Sequence, residues 1–245
     1  MRTYILAMIF LLATSATIVC CQKKYEVDTL RSHEGNIEIS FLGHASLMFK
    51  FSGKVIYADP VSQFADFSQM PKADLILVTH EHGDHLDSLA IEKCRAEKTI
   101  VICTEACVSK VRDATVMKNG DVTKKGTLTI KAVPAYNLVH MRSPGIPFHA
   151  KGVGNGYVLT LGGKRIYVAG DTENIPEMSN LGAIDCAFLP MNLPYTMTPE
   201  MVAEAAKRIQ PKILYPYHFG KTDTSSLVNL LKDQKGIEIR IRKMQ

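Results

Sequence analysis

The sequence predicts a mixed α/β protein (α+β) in which two mixed β-sheets pack together between outer helices, a four-layer αββα sandwich. The 245 residues, of which 46% are hydrophobic and 22% charged, are enough for one full core. Short strand patterns occur in two successive halves, each beginning with strands and continuing as alternating strands and helices. No stretch rich in Pro, Gly or Ser separates the halves, so we expect one domain built from both.

The first half begins with alternating strand patterns joined by tight turns, such as Ser52-Gly53-Lys54. A fully apolar strand then leads into a polar loop, after which Asp87 can cap a helix that runs to about Ala96. The predicted strands of this half cover residues 37–42, 46–51, 55–58, 75–78 and 100–102.

The second half repeats this order, with a hairpin turn at Gly162-Gly163-Lys164. Thr198-Pro199-Glu200 is typical of a helix start, because it combines a cap, a proline in the first turn and an acidic residue. A second helix is expected from about Asp223 to Lys232. The predicted strands cover residues 127–133, 156–161, 165–169, 184–189, 213–215 and 237–241.

Residues 1–21 have the composition of an export signal, with Arg2 before an apolar run and small residues after it. Cys20 and Cys21 stand where a bacterial lipoprotein signal would end, and an uncleaved anchor stays open because the segment is about as long as a minimal membrane span. We therefore expect an exported protein, periplasmic or attached to the membrane, and a cytoplasmic one only if this segment is not a signal. Residues 22–36 are expected to form a linker, and residues 37–245 the folded domain.

The net charge of +5 is spread along the chain, and no basic run is long enough to indicate a nucleic-acid surface. The expected partner is a small molecule or a lipid, and nothing in the sequence predicts the oligomeric state. The spacing of the later cysteines matches no zinc ribbon and no CxxC pair, so four buried thiols are favoured over a Cys103–Cys107 disulfide.

The run Thr79-His80-Glu81-His82-Gly83-Asp84-His85 directly follows the apolar strand pattern 75–78. Polar groups buried without partners cost about 2–7 kcal/mol each, so a core that ends in such a cluster needs compensation. Imidazoles and carboxylates are ligands that zinc, iron and manganese accept. The run therefore predicts a metal site.

Three further segments carry residues of the same kind in loops beside strands. His149 precedes the Gly156 hairpin, Asp171 follows the strand at 165–169, and His218 follows the strand at 213–215. A rigid sheet can aim side chains from such loops at a common point. Four segments in one chain predict a shared metal site more strongly than any of them alone.

These motifs resemble the metallo-β-lactamase superfamily, whose HxHxDH signature is similar to residues 80–85. Within it the chain resembles the metal-dependent hydrolases that include ascorbate-6-phosphate lactonase, and more distantly N-acyl phosphatidylethanolamine phospholipase D. The motifs that carry the likeness are Leu42-Gly43-His44-Ala45-Ser46, Asp59-Pro60, Gly170-Asp171-Thr172 and Pro216-Tyr217-His218. The resemblance covers residue 37 to the C-terminus and implies the αββα fold.

The resemblance implies a site for two divalent ions, zinc being favoured and manganese or iron open. His80, His82 and His149 would bind one ion, Asp84, His85 and His218 the second, and Asp171 would bridge them. A hydroxide bound to the two metals would cleave an ester-type bond, such as a phosphodiester or a lactone. Asp84 would orient this hydroxide or shuttle its proton, which makes Asp84 and Asp171 the expected catalytic residues.

Some assignments stay open from the sequence alone. His140 is an alternative to His149 as the third histidine ligand. His149 is preferred because its separation from Asp171 in sequence matches the usual spacing in the superfamily. Tyr136, Asn192 and Tyr195 are expected near the substrate. His44 is expected behind the metal ligands or as a residue that fixes the turn, and Asp59 is expected to orient the metal loop. The competing class of function is an exported metal-binding protein without catalysis, against which stands the complete ligand set.

Overall fold

The computed structural model describes residues 25–244, so the predicted export segment 1–21 lies outside the described residues. The first of two seven-stranded sheets contains its strands in sequence order. They are β1 (Glu26–Ser32), β2 (Gly35–Gly43), β3 (Ser46–Phe51), β4 (Lys54–Ala58), β5 (Ala73–Leu77), β6 (Arg95–Cys103) and β7 (Ala114–Val116). Strands β1 to β4 pair antiparallel, and β4 to β7 pair parallel, so the sheet is mixed.

The second sheet follows along the chain, with a small separate hairpin inserted into it. The strands are β8 (Val122–Lys125), β9 (Leu128–Ala135), the hairpin β10 (Met141–Ser143) and β11 (Ile146–Pro147), β12 (Gly154–Leu161), β13 (Lys164–Val168), β14 (Cys186–Pro190), β15 (Ile213–Tyr217) and β16 (Glu238–Ile239). The spatial order is β16-β15-β14-β13-β12-β9-β8. The first members in the sequence pair antiparallel and the last four parallel, as in the first sheet.

Three α-helices are described: α1 (Ser88–Cys94), α2 (Pro199–Ile209) and α3 (Thr224–Leu231). The side chains of Asp87, Thr198 and Asp223 cap their N-termini by accepting backbone N–H bonds. Within residues 25–244 no helix combines the length and the apolar character needed to cross a membrane.

Because side chains alternate between the two faces of a strand, the first sheet contributes to two hydrophobic clusters, one on each face. In β5, Leu75 and Leu77 belong to the main core shared with the second sheet, whereas Ile76 faces the opposite way and packs with Ala90 and Ile91 of α1. Two mixed sheets with helices beside them confirm the predicted fold class. The four cysteines of the described part, at positions 94, 103, 107 and 186, are buried free thiols.

The linker predicted over residues 22–36 is wrong for its described part, because β1 occupies Glu26–Ser32 and pairs with β2 along its whole length. Asp28 of this edge strand accepts hydrogen bonds from Arg240, Arg242 and Tyr215. These partners are more than 180 residues away in sequence, so no local pattern could have indicated them.

The ends of four strands meet at one edge of the sandwich, here called the metal-site edge. His44 follows β2, His80 follows β5 after two residues, Asp171 follows β13, and His218 follows β15. Because β2, β4 and β5 run in one direction, their C-terminal ends face the same side. The backbone N–H of His218 donates to the carbonyl of His44 at 2.9 Å, which joins the two sheets at this edge.

Candidate metal centre

The loop after β5 is fixed at its start by Asp59, which is fully buried. Its Oδ1 accepts the backbone N–H of Thr79 at 2.8 Å, and its Oδ2 accepts the Thr79 hydroxyl at 2.7 Å. Oδ2 also accepts Nδ1–H of His85 at 2.8 Å. Because the Thr79 hydroxyl donates to Asp59, it accepts from Nδ1 of His80, 3.0 Å away. Nδ1 of each histidine is therefore engaged, and Nε2 is the nitrogen left for another partner, as expected of an Asp59 that orients the loop.

The other end of the loop is fixed by a turn and a helix cap. The carbonyl of His82 accepts from the backbone N–H groups of His85 and Leu86 at 3.0 and 2.8 Å. Asp87 then caps α1 and also accepts the backbone N–H of Ser62 at 2.8 Å. Both ends of the loop are thus fixed by hydrogen bonds, which limits the positions that the side chains between them can take.

The first group of potential ligands consists of His80, His82 and His149, whose nearest ring nitrogens all lie within 4.8 Å of one another. Nε2 of His149 lies 3.2 Å from Nδ1 of His82. His80 and His149 are buried and His82 is half-buried at the mouth of a cleft of about 160 Å³.

Asn137 decides which histidine of the following segment joins this group. Its Oδ1 accepts both the backbone N–H and Nδ1–H of His149, at 2.8 and 2.7 Å, which leaves Nε2 of His149 as the free nitrogen. Nδ1 of His140 lies instead 2.7 Å from the buried carboxylate of Glu173. The structure thus places His149 in the cluster and His140 behind it.

The second group consists of His44, Asp84, His85 and His218, again within 4.8 Å. Oδ2 of Asp84 lies 3.1 Å from Nε2 of His44 and 3.3 Å from Nε2 of His218. The rings of His44 and His218 are 3.8 Å apart between centroids. His44, expected behind the ligands or as a turn residue, therefore stands as close to Asp84 as His218 does.

Asp171 lies between the two groups and is almost fully buried. Its Oδ2 is 3.3 Å from Nε2 of His149 and 3.8 Å from Nε2 of His80. The same oxygen is 3.5 Å from Nε2 of His218, and Oδ1 is 3.3 Å from Nε2 of His85. A single carboxylate thus faces both groups, as a bridging ligand must.

The ionisable groups of the site shift one another's pKa. Burial raises the pKa of Asp171, but the imidazoles of His218 and His85 outweigh it and hold this pKa well below its usual range. Burial lowers the pKa of His85, but the carboxylates of Asp171 and Asp59 outweigh it and hold this pKa well above its usual value. Burial and the neighbouring His85 keep the pKa of His80 well below its usual value.

Several buried atoms at the centre of the cluster lack a hydrogen-bond partner within residues 25–244: Nε2 of His80, Nε2 of His85 and Oδ1 of Asp171. The 3.3 Å between His85 and Asp171 does not have hydrogen-bond geometry, so these atoms face a common point rather than each other. Buried polar atoms are normally paired, and such an exception calls for an ion or a water. The donor set of imidazole nitrogens and carboxylate oxygens fits divalent cations of the zinc, manganese and iron type.

Three residues of this site have positive φ although they are not glycine: His44 at 53°, Asp59 at 45° and His218 at 48°. The left-handed region costs side-chain-bearing residues free energy, of order 1–3 kcal/mol each, and such residues cluster at functional sites. The strain here falls on two members of the second group, His44 and His218, and on Asp59, the carboxylate that fixes the loop.

The residues expected to line the substrate site lie farther out. The Tyr136 hydroxyl donates to Glu177 at 2.9 Å and accepts from Lys151 at 3.2 Å, and Tyr136 is not among the residues that line the cleft beside His82. Asn192 lies against Gly220, two residues beyond His218, and is not part of the cleft wall. Tyr195 is 45% exposed and packs its ring edge-on against Phe148, which does line the cleft.

Two residues that matter in the structure carry no signal in the sequence. Glu173 is fully buried and accepts backbone N–H bonds from Leu138, Val139 and His140 at 2.6–2.7 Å, which shapes the segment before His149. Arg142 of β10 places Nη2 3.3 Å from Nε2 of His82. Arg142 lies four residues before the start of β11, in a hairpin without a recognisable sequence motif.

Comparisons with known proteins agree with this geometry. Residues 38–218 match the family model described as the beta-lactamase superfamily domain. UPF0173 metal-dependent hydrolases from Thermococcus kodakarensis and Thermus thermophilus are 32% and 33% identical to this chain, and each alignment covers 75% of this chain and 84% of the relative. A crystal structure from Parabacteroides distasonis, of a candidate metal-dependent hydrolase, is 46% identical, with a TM-score of 0.86, and the alignment covers 91% of this chain and all of that one. The chain therefore belongs to the beta-lactamase superfamily and, within it, to the UPF0173 metal-dependent hydrolases.

Proposed function

We propose that this protein is a hydrolase that uses two divalent ions to cleave an ester-type bond, such as a phosphodiester or a lactone. The observation that carries the proposal is the position of Asp171, whose two oxygens face two separate groups of ligand-type side chains. His80, His82 and His149 would hold one ion, and Asp84, His85 and His218 the other. His44 is close enough to Asp84 to complete the second set.

When bound, two such ions supply a nucleophile at neutral pH, because they lower the pKa of water, and they stabilise negative charge on the reacting group. The protein's part is to orient the rings of His80 and His85 so that Nε2 of each is the nitrogen directed at the cluster. The chain from His80 through Thr79 to Asp59, and the direct bond from His85 to Asp59, do this for both groups.

Asp84 is suited to orient the nucleophile. Its side chain is 44% exposed, unlike that of the buried Asp171, so it faces the open side of the site. Burial raises its pKa, but hydrogen bonds with His218 and His44 outweigh it and keep the pKa well below its usual range. The contacts with His44 and His218 fix the Asp84 carboxylate at this open side, which favours a role in orienting the nucleophile.

Zinc is the proposed ion, since sites rich in imidazole with one or two carboxylates suit it, and manganese and iron share this preference in part. We further propose that residues 1–21 export the protein or attach it to a membrane, as their composition indicates. The substrate would then be a small molecule or a lipid outside the cytoplasm.

The test is metal content of the full chain coupled to hydrolysis of bis(p-nitrophenyl) phosphate, with His82→Ala and Asp171→Ala beside the wild type. We expect two ions per chain and turnover that is lost in both variants. His140→Gln, outside the cluster, is the control and should keep both ions and turnover. Bound metal without phosphodiesterase activity would indicate that the substrate is a lactone or a carboxylic ester. A chain that binds no metal after reconstitution would overturn the proposal.

A further inference from the structure

Exposed apolar side chains concentrate beside the metal centre. Of the twelve large hydrophobic residues that are exposed within residues 25–244, five lie between positions 138 and 153 and two between 193 and 195. Val139 is 64% exposed and Ile146 57%. These segments are here called the apolar rim. Soluble proteins usually scatter such residues singly, and a cluster of them marks an interaction surface.

The rim is continuous with the metal cleft. Ile146 and Val153 line the cleft together with His82. The second segment of the rim is joined to the first, because the carbonyl of Tyr195 accepts from Nδ2 of Asn137 at 2.9 Å and its ring packs against Phe148. Whatever covers the rim therefore also covers the opening to the cluster.

A positive charge lies within this apolar surface. Arg142 has no carboxylate partner in the described part of the chain, and its guanidinium lies 3.3 Å from Nε2 of His82. Nδ1 of His82 faces His149 and would be the nitrogen that holds a cation. Nε2 would then carry the ring proton and would not accept a hydrogen bond from Arg142. The guanidinium is then available to an anion at the mouth of the cleft.

The N-terminal end of the described domain also lies at the metal-site edge. Glu26, the first residue of β1, pairs with Phe41, near the end of β2 that leads into His44. The described part of the chain therefore begins at the metal-site edge. The sequence of residues 1–24 holds an apolar run at 4–13 and, near the domain, Lys23 and Lys24.

From these juxtaposed features we propose that the metal-site edge is a membrane-facing surface, with the apolar rim at the lipid interface and Arg142 on the phosphate of an anionic phospholipid. A surface with apolar side chains around a cation is suited to the boundary between headgroups and acyl chains. Resting on the proposed hydrolase function, this inference makes membrane lipid esters the substrate class of the cleft. Attachment through residues 1–24 holds the rim against the bilayer.

The sequence contains no tryptophan, which allows a single reporter to be introduced. Ile146→Trp places it on the rim, and Val122→Trp places it on the edge strand β8, at the same exposed fraction of 57%. The full chain of each variant is mixed with vesicles of phosphatidylcholine and phosphatidylglycerol, with or without bromine on the acyl chains. We expect a blue shift of emission and quenching by bromine for Ile146→Trp and neither for Val122→Trp. Adding Arg142→Gln to Ile146→Trp should reduce the shift where phosphatidylglycerol is present.

Several results would overturn the membrane proposal. Unchanged Ile146→Trp emission would show that the rim does not meet the bilayer, and equal changes in both variants would show that the chain has no preferred face. A blue shift that grows with protein concentration without vesicles would assign the rim to a second copy of the chain. Emission depends on neither bound metal nor turnover. A negative result for membrane contact can therefore be distinguished from a negative result for the hydrolase function.

Discussion

Among single residues, Asp59 shows how a side chain outside the ligand groups governs the state of those within them. It is fully buried and accepts three hydrogen bonds, from the backbone and hydroxyl of Thr79 and from Nδ1 of His85. Through Thr79 it also sets the proton on His80. An amide at this position would offer one acceptor oxygen and two hydrogens to a site built from donors.

Asp59→Asn is expected to lower metal affinity by about 10- to 100-fold, the range found for carboxylates that support histidine ligands. The reason is that His85 loses its charged acceptor and His80 its fixed tautomer. Competition with a chelator measures the change. Asp74→Asn, at the opposite edge, where the carboxylate pairs with Lys54, is the control. Equal affinity in wild type and Asp59→Asn would contradict the role given to this carboxylate.

Among single residues, the sequence predicted those that stand in motifs of metal-ligating side chains. The motif at residues 80–85 and the later Asp171 and His218 all fall in the cluster that the structure shows. Arg142 and Glu173 could not be found, because their importance depends on burial and on contacts with loops distant in sequence. The contacts of the Tyr136 hydroxyl with Glu177 and Lys151 were hidden for the same reason.

Among the elements, β1 depends most on contacts from the far end of the chain. It is an edge strand whose burial alternates only weakly, which explains why its sequence resembles a linker. Asp28 stabilises the strand instead, by accepting hydrogen bonds from Arg240, Arg242 and Tyr215. Strands buried on both faces, such as β3 and β5, were predicted well, because a short apolar run bounded by turn residues indicates a buried strand.

Asp28→Asn is expected to lower the free energy of unfolding by about 1.5–3 kcal/mol at neutral pH, as measured with urea, since charged hydrogen bonds are lost. Burial raises the pKa of Asp28, but hydrogen bonds from Tyr215 and Arg242 outweigh it, and the net pKa lies below the ordinary 3.8. The stabilisation is therefore complete above that value and is lost as the pH falls through the folded-state pKa.

The difference between wild type and Asp28→Asn should accordingly shrink in acid, below about pH 4. Asp113→Asn is the matched control, because that side chain is 78% exposed and should contribute little at any pH. A difference that stays constant down to the most acid conditions would show that Asp28 acts through packing rather than through its charge.

At the scale of the whole molecule, the cluster lies where the two sheets meet. The loop after β5 contributes His80, His82, Asp84 and His85, whereas His149, Asp171 and His218 come from the half that contains the second sheet. The halves are already joined near the site, since the Tyr157 hydroxyl donates to the carbonyl of Val78 and the N–H of Asn155 to that of Thr79, both at 2.9 Å. A cation bound here would connect the sheets through side chains as well.

Metal binding should therefore stabilise the whole fold rather than a single loop. With free zinc about 100-fold above its dissociation constant, the free energy of unfolding is expected to rise by about 2.7 kcal/mol for each site, and a chelator should reverse the gain. Urea unfolding with and without zinc measures this difference. His149→Gln removes one of the three imidazoles of the first group and should lose that group's share, while His140→Gln should keep the full gain, because His140 contacts Glu173 outside the cluster. Equal gains in the two variants would mean that zinc stabilises the fold from somewhere other than the junction of the sheets.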